Sequence, residues 1–216
     1  DLHLSLRRQR QMCIRDSTGT LQYLASTAME AGFSTRVLDM QALDLQNGRF
    51  FDPAGELVNR CFKLYPWEWM VDESPDGCLA EMEWLEPIWK LVMSNKAILA
   101  TLYELFPDSP YVLPCYLSRP RSGLFCKKPI FSREGHNVSV VDIRDWEEYV
   151  RIAETEGDYN TGAYVYQEYV EPTAYSGRYP VIGSWIIGGE AAGIGIRENR
   201  MEVTDNLSEF VPHIIG

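Results

Sequence analysis

The most informative part of this sequence is LFCKKPIFSREGHNV, residues Leu124 to Val138. It begins with apolar residues typical of a buried strand, breaks into the polar segment Ser132 to Asn137, and returns to alternating valines. A strand, a glycine-bearing tip and a second strand predict a flap whose backbone N–H groups can face an anion. Lys128 and Arg133 add positive charge beside this tip. A plain hairpin with solvated charges explains the same local pattern, so both interpretations stay open at this level.

The composition is that of a globular chain with an acidic excess. The 216 residues are 45% hydrophobic and 24% charged, with a formal net charge of −11. This length can bury one large core or two smaller ones, and the negative charge argues against nucleic acid or an anionic membrane as the main partner. No run of about 18 apolar residues is present, so we expect no membrane span. Five scattered cysteines predict reduced thiols in a cytoplasmic protein.

Apolar periodicity predicts a mixed α/β (α+β) fold. The pattern changes repeatedly between a helical repeat and a strand repeat along the chain. Helices are predicted at residues 18–31, 87–93, 96–106 and 145–153, and strands at 35–40, 49–58 as a hairpin, 61–65, 163–170, 179–187 and 191–197.

The sequence divides into three parts. Residues 1–17 have no periodicity that continues into the first predicted helix, lack the apolar stretch of a signal peptide and look like translated adapter sequence. We therefore expect them to be a non-native or disordered segment. A polar loop ending at Gly77 then separates a small α/β lobe, residues 18–77, from the remaining region, residues 78–216.

Three distant features have the chemistry to bind a nucleoside triphosphate. Lys96 and Lys128 can bridge phosphates, and the strand that ends at Val170 offers backbone groups to adenine. Arg197 can offset the charge that develops on a transferred phosphoryl group. Solvated surface residues are the alternative interpretation of all three cations. The sequence has no Walker-type Gly-x-x-x-x-Gly-Lys-Ser/Thr loop and no strand-linked Gly-x-Gly-x-x-Gly, so a P-loop or Rossmann mechanism is unsupported.

Seven blocks in fixed order carry a resemblance to a known family. Together they resemble the glutathionylspermidine synthase family, and more narrowly its synthetase-only bacterial relatives without an amidase domain. The resemblance runs from about residue 18 to residue 213. The blocks are FKLYPWE (62–68), WLEPIWK (84–90), SNKAIL (94–99), KKPI (127–130), REGHN (133–137), YQE (166–168) and GIGIRE (193–198).

The resemblance implies an ATP-grasp fold preceded by a small α/β lobe. It also implies an ATP- and Mg-dependent ligase for small-molecule carboxylate and amine substrates, with amide formation through an acyl phosphate. Carried over to this sequence, the resemblance assigns phosphate binding to Lys96 and Lys128, and the phosphate flap to Glu134 and Gly135. It assigns the γ-phosphate contact and catalysis to Arg197. The strand on the adenine side is assigned to Gln167, Glu168, Tyr169 and Val170.

The sequence departs from the family in one respect. The family's magnesium ligands and a transition-state arginine lie upstream, in Arg-x-Asp and Glu-x-Asn pairs that this chain lacks. We therefore expect no metal ligands here and a fragment that is itself inactive. Asp205 and Asn206 are candidate substitutes, although a loop Asp-Asn is typically a turn or cap. A non-catalytic nucleotide-binding module of the same fold, and an aromatic-rich binding protein unrelated to ATP, are the alternatives.

Overall fold

The computed structural model describes residues 18–145, 148–157, 159, 162–203 and 208–214. Its mixture of helices and strands confirms the α+β fold class. Contacts within the chain divide it into two compact units, Asp1–Val92 and Met93–Gly216. The predicted non-native segment, residues 1–17, and the pair Asp205 and Asn206 lie outside the described residues.

The first unit opens with a helix and an irregular segment. Helix α1 covers residues 18–30, which confirms the first predicted helix. The strand predicted at residues 35–40 is wrong, because residues 33–39 have no regular structure and Met40–Ala42 forms a 3-10 turn. The Asp39 side chain accepts a hydrogen bond from the Gln41 N–H. Such a side-chain cap offers the backbone an alternative to strand pairing.

A three-stranded antiparallel sheet follows. The predicted hairpin at residues 49–58 is confirmed. Its turn is built on Asp52, a buried residue whose Oδ1 accepts hydrogen bonds from Ala54 N and Glu56 N, each at 2.9 Å. The strands are β1 (Asp44–Gln46), β2 (Arg49–Phe51) and β3 (Leu57–Val58), in the order β1-β2-β3.

A parallel strand pair and two short helices complete this unit. Strands β4 (Arg60–Phe62) and β5 (Glu83–Leu85) pair in parallel. Between them lie α2 (Trp67–Glu73) and α3 (Pro75–Cys78), where the sequence predicted a polar loop. The core contains Phe50, Trp67 and Met70, with Trp84 packed against it. Strand β4 precedes Gly77 and β5 follows it, so their pairing joins residues on both sides of the predicted division. A domain boundary after Gly77 stays a prediction.

The predicted pair of helices follows at the division between the two units, and the second unit contains a five-stranded antiparallel sheet. A 3-10 turn at Ile88–Lys90 leads into α4 (Leu91–Ser94), and α5 (Ala97–Leu105) follows, which confirms both helices. Val165, Val141 and Ile143 are among the most buried residues of the second unit. The sheet runs in the order β6-β10-β7-β8-β9, with β6 at Cys115–Tyr116, β7 at Gly123–Pro129, β8 at Ser139–Ile143, β9 at Tyr149–Glu154 and β10 at Tyr164–Glu168.

The predicted pair of strands around the polar tip is confirmed, its role as a phosphate flap stays a prediction, and one predicted helix is wrong. Strands β7 and β8 pair in antiparallel fashion around the polar tip. The helix expected at residues 145–153 is instead the strand β9, which pairs with β8 along the sheet edge. Tyr149, Val150 and Ala153 fit a helical face, yet so short an apolar run cannot separate helix from strand. Aromatic and β-branched residues favour a strand once a partner is present.

A second sheet lies near the end of the chain. Strands β11 (Tyr179–Ile187), β12 (Glu190–Asn199) and β13 (Glu209–Val211) are antiparallel and neighbour one another in that order. The predicted hairpin between β11 and β12 is confirmed, and it turns at Gly188 and Gly189, both with positive φ. None of the helices in the described residues is long and apolar enough to cross a membrane.

Candidate functional site

A cavity of about 380 Å³ lies within the second unit. Its lining combines two lysines and two glutamates with apolar residues. The residues predicted to bind ATP that line this cavity are Lys96, Lys128, Gln167, Glu168, Tyr169 and Val170. The structure therefore brings together six side chains that lie up to 74 positions apart in the sequence.

Strand pairing places Lys128 and Gln167 side by side. Cys126 is directly opposite Gln167 in the β7–β10 register, and Lys128 is two residues further along the same face of β7. The Lys128 Nζ donates a hydrogen bond to the Gln167 Oε1 at 2.7 Å. The neighbouring Lys127 points to the other face, where its Nζ lies 4.1 Å from the Tyr164 ring centroid. Strand alternation therefore selects one of two consecutive lysines for the cavity.

Lys96 reaches the cavity from the residue before α5. Its backbone N–H donates to the Ile130 carbonyl at 2.8 Å, which fixes the start of the helix against the end of β7. Its Nζ donates to the Ser132 Oγ at 3.0 Å and also to the Ser132 carbonyl oxygen. Lys96 thus connects the cavity wall to the flap.

The flap tip has a left-handed backbone. Glu134 has φ +58° and Gly135 has φ +72°, conformations that glycine adopts more readily than glutamate. Neither residue is among those that line the cavity, although Ser132 in the same tip contacts Lys96. A phosphate contact at Glu134 and Gly135 stays a prediction.

The end of β10 forms one side of the cavity, but part of its backbone is already occupied. The Glu168 N–H donates to the Pro114 carbonyl at 2.8 Å, and the Tyr169 N–H donates to the Leu124 carbonyl at 3.0 Å. These two N–H groups are therefore not available to a ligand. Carbonyl groups and side chains of the strand are the groups that a base could meet here.

Arg197 is not among the residues that line the cavity. It is on β12, opposite Val181 and Phe210, and its guanidinium carbon lies 5.9 Å from the Phe210 ring centroid. Glu202 and Val203, which follow the same strand, do line the cavity. The catalytic role of Arg197 stays a prediction.

Comparison with known proteins settles the family. Residues 2–216 match the family described as glutathionylspermidine synthase preATP-grasp. The chain belongs to this family. The resemblance drawn from seven sequence blocks is therefore confirmed.

Several curated relatives are similar to this member of the glutathionylspermidine synthase family. A putative acid–amine ligase from Haemophilus influenzae is 35% identical over 99% of this chain and 56% of its own length. A trypanothione synthetase from Crithidia fasciculata is 36% identical over 59% of this chain and 19% of its own. A bifunctional glutathionylspermidine synthetase/amidase from Escherichia coli is 27% identical over 90% of this chain and 36% of its own. The chain thus spans 56% or less of the length of these relatives.

Two polar residues of the cavity were missed in the sequence of this family member. Cys126 lies two residues before Lys128, so strand alternation alone places it on the same face. Glu202 belongs to a segment with no recognisable periodicity, and its position depends on the tertiary fold. The Tyr169 hydroxyl donates to the Glu202 carboxylate at 2.6 Å, and this bond raises the pKa of the Tyr169 phenol. Burial raises the pKa of the Cys126 thiol, which keeps it protonated and poorly nucleophilic.

The residues described in the structure differ in how well they suit ATP and magnesium. Two ammonium groups beside an apolar wall that includes Leu113, Val138 and Val140 suit a triphosphate attached to a flat base. Over the same described residues, no three His, Cys, Asp or Glu side chains converge to hold a metal ion. The lining of the cavity therefore suits a nucleotide, and magnesium ligands upstream of this region stay a prediction.

Proposed function

We propose that this chain is the nucleotide-binding part of an ATP-dependent carboxylate–amine ligase. The observation that carries the proposal is the convergence of Lys96 and Lys128 with the end of β10 around one cavity. The chain as a whole has a net charge of −11 and repels anions. The cavity is lined by two lysines, Lys96 and Lys128, and two glutamates, Glu168 and Glu202, so its lining is formally neutral in a chain that is otherwise strongly negative, and the two ammonium groups are the ones that a triphosphate can meet.

The dimensions and lining of the cavity support a nucleotide. Its volume of about 380 Å³ lies within the range of roughly 300–1,000 Å³ that is usual for small-molecule sites. Lys128 and Lys96 hold the phosphates, and the apolar residues contact the base. The carboxamide of Gln167 orients the Lys128 ammonium, because their hydrogen bond at 2.7 Å fixes one of its donors.

The other predicted groups extend this site. Glu134 and Gly135 cover the phosphates from the flap, and Arg197 approaches the γ-phosphate from β12. ATP supplies the phosphoryl group that activates a carboxylate, and magnesium offsets the phosphate charge with ligands from upstream of this region. The chain's own part is to bind and orient the nucleotide, so the 216 residues alone bind ATP weakly and do not turn it over.

The substrates proposed for the whole protein are a small carboxylic acid and an amine. Relatives named as an acid–amine ligase and as glutathionylspermidine and trypanothione synthetases support this reaction class. Their names do not fix the acid or the amine used by this protein. The cysteines of the described residues are free thiols, which favours the cytoplasm as the compartment of this protein.

Substrate-dependent ADP release by the full-length gene product tests this function. The protein is incubated with Mg-ATP and a panel of carboxylates, including thiol peptides, combined with polyamines. We expect ADP only when one acid and one amine are both present, together with an amide of the summed mass less water. Tight ATP binding without ADP release for any pair would favour the non-catalytic module, and no ATP binding would contradict both.

A further inference from the structure

The flap tip is tied to the segment that follows β9. The Thr155 Oγ1 accepts a hydrogen bond from the Val138 N–H at 2.9 Å and donates to the Gly135 carbonyl. The Thr155 N–H in turn donates to the Val138 carbonyl at 2.9 Å. One threonine therefore binds the backbone of the flap on both sides of His136.

Asn137 makes a second connection to the same segment. Its Nδ2 donates to the Gly157 carbonyl at 2.9 Å, and its Oδ1 accepts from the Tyr159 N–H at 2.8 Å. Asn137 itself has φ +54°, a left-handed conformation that asparagine tolerates better than most residues. Its side chain uses both ends of the amide, so neither an aspartate nor a leucine reproduces the pair of bonds.

Gly157 allows these two connections to form. A Cβ at this position would lie 2.5 Å from the His136 Cβ and 2.7 Å from the Asn137 Oδ1. Both distances are well inside van der Waals contact, so only glycine fits without movement of the tip. We call Asn137, Thr155 and Gly157 together the staple.

The staple and Lys96 hold the flap from two directions. Lys96 donates to Ser132 at the start of the tip, and the staple holds Gly135 to Val138 at its end. Glu134, a non-glycine residue with a left-handed backbone, lies between these two attachments. Such a conformation persists when the surrounding structure fixes it.

We propose that Asn137 and Thr155 are positioning residues that hold the flap in its phosphate-binding conformation before the nucleotide arrives. The inference rests on the proposed function, because it assumes that the flap covers the phosphates. A flap that is already ordered loses less conformational entropy when it binds a ligand, so the staple contributes to affinity without touching the nucleotide. The staple therefore strengthens the binding of the β- and γ-phosphates. It does not change the binding of the base or the α-phosphate.

Calorimetric titration with Mg-ATP and with AMP tests the staple on the whole chain. Thr155→Val has nearly the same shape but loses the hydroxyl, and we expect roughly tenfold weaker binding of Mg-ATP with AMP affinity unchanged. Asn137→Ala should give the same pattern. Thr155→Ser retains the hydroxyl and should restore most of the ATP affinity. Thr101→Val, at an exposed position of α5, is the matched control for loss of a threonine hydroxyl.

The outcomes separate the staple from the function on which it rests. If Thr155→Val weakens ATP and AMP equally, or lowers the unfolding midpoint enough to explain the loss, the staple is only a structural contact and the inference is wrong. If Lys128→Ala weakens ATP binding while both staple variants bind as the wild type does, the inference fails and the proposed function stands. If wild-type chain and Lys128→Ala bind ATP equally, the proposed function itself fails.

Discussion

At the residue scale, the site depends on which of two consecutive lysines faces the cavity. Lys127 and Lys128 have the same chemistry and adjacent positions, yet only Lys128 lines the cavity. Lys127 packs over Tyr164 on the opposite face of β7. Strand alternation explains this difference, because Lys128 shares a face of β7 with Cys126, which also lines the cavity.

This pair of lysines gives a matched test of the site. Lys128→Ala should weaken nucleotide binding by about 1.5–3 kcal/mol, the usual contribution of a hydrogen bond to a charged group. Lys127→Ala removes the same charge from the chain at the next position and should change the affinity by less than about 0.5 kcal/mol. Isothermal titration with Mg-ATP measures both. Equal effects would mean that only net charge matters, which contradicts the assignment of Lys128.

Lys63 in the first unit provides a test based on pH. Its Nζ lies 3.7 Å from the Trp67 ring centroid and donates to the Tyr65 carbonyl at 2.8 Å. Burial lowers the pKa of Lys63 from 10.5 to about 8, and the nearby Cys61 and Glu68 offset only part of this effect. The amine is therefore charged below pH 8 in the folded chain and mostly neutral above it.

We expect acetic anhydride to acetylate Lys63 in the folded chain with a half-maximal rate at a pH of about 8. In the urea-unfolded chain the same amine should follow the ordinary lysine pKa of about 10.4. Between these two values the unfolded state binds more protons, so this residue makes the free energy of unfolding rise with pH in that window. Peptide mass spectrometry across a pH series measures the labelling. Identical profiles in folded and unfolded chain would contradict the burial of Lys63.

At the scale of elements, turn chemistry was predictable and edge strands were not. The β2–β3 and β11–β12 hairpins follow from Asp-Pro-Ala-Gly and Gly-Gly at their turns, and the structure confirms both. Strand β9 was mistaken for a helix because its short apolar run fits either element. Its partner β8 is the preceding strand, and it is the pairing of Ile143 with Tyr149, not the apolar spacing, that decides for a strand.

The Asp52 turn gives a stability prediction for one of these elements. Asp52→Ala removes the acceptor for Ala54 N and Glu56 N and leaves the Arg36 guanidinium without this carboxylate. We expect a loss of about 2–4 kcal/mol in the free energy of unfolding, from several charge-assisted hydrogen bonds at a buried position. Urea unfolding measures the loss. Asp44→Ala, at an exposed aspartate that accepts from Gln46, is the control and should cost less than about 0.5 kcal/mol; equal losses would contradict the role of the turn.

At the scale of the whole molecule, the sequence predicted which residues meet better than it predicted how they are held. Six of the residues that the resemblance assigned to the nucleotide line one cavity. The staple was not foreseen, since Asn137, Thr155 and Gly157 belong to loops with no periodic pattern. Glu202 was missed for the same reason. Loop-borne contacts depend on the path of the chain, and strand-borne contacts depend mainly on register.

The proposed function requires that the end of β10 and the two lysines of the cavity, Lys96 and Lys128, bind one nucleotide. Photolabelling with 8-azido-ATP followed by peptide mapping tests it most directly, because the reactive group is on the base. We expect a single adduct within residues 164–172 that excess ATP suppresses and that Lys128→Ala reduces. An adduct confined to residues 18–92, or labelling that excess ATP leaves unchanged, would contradict it.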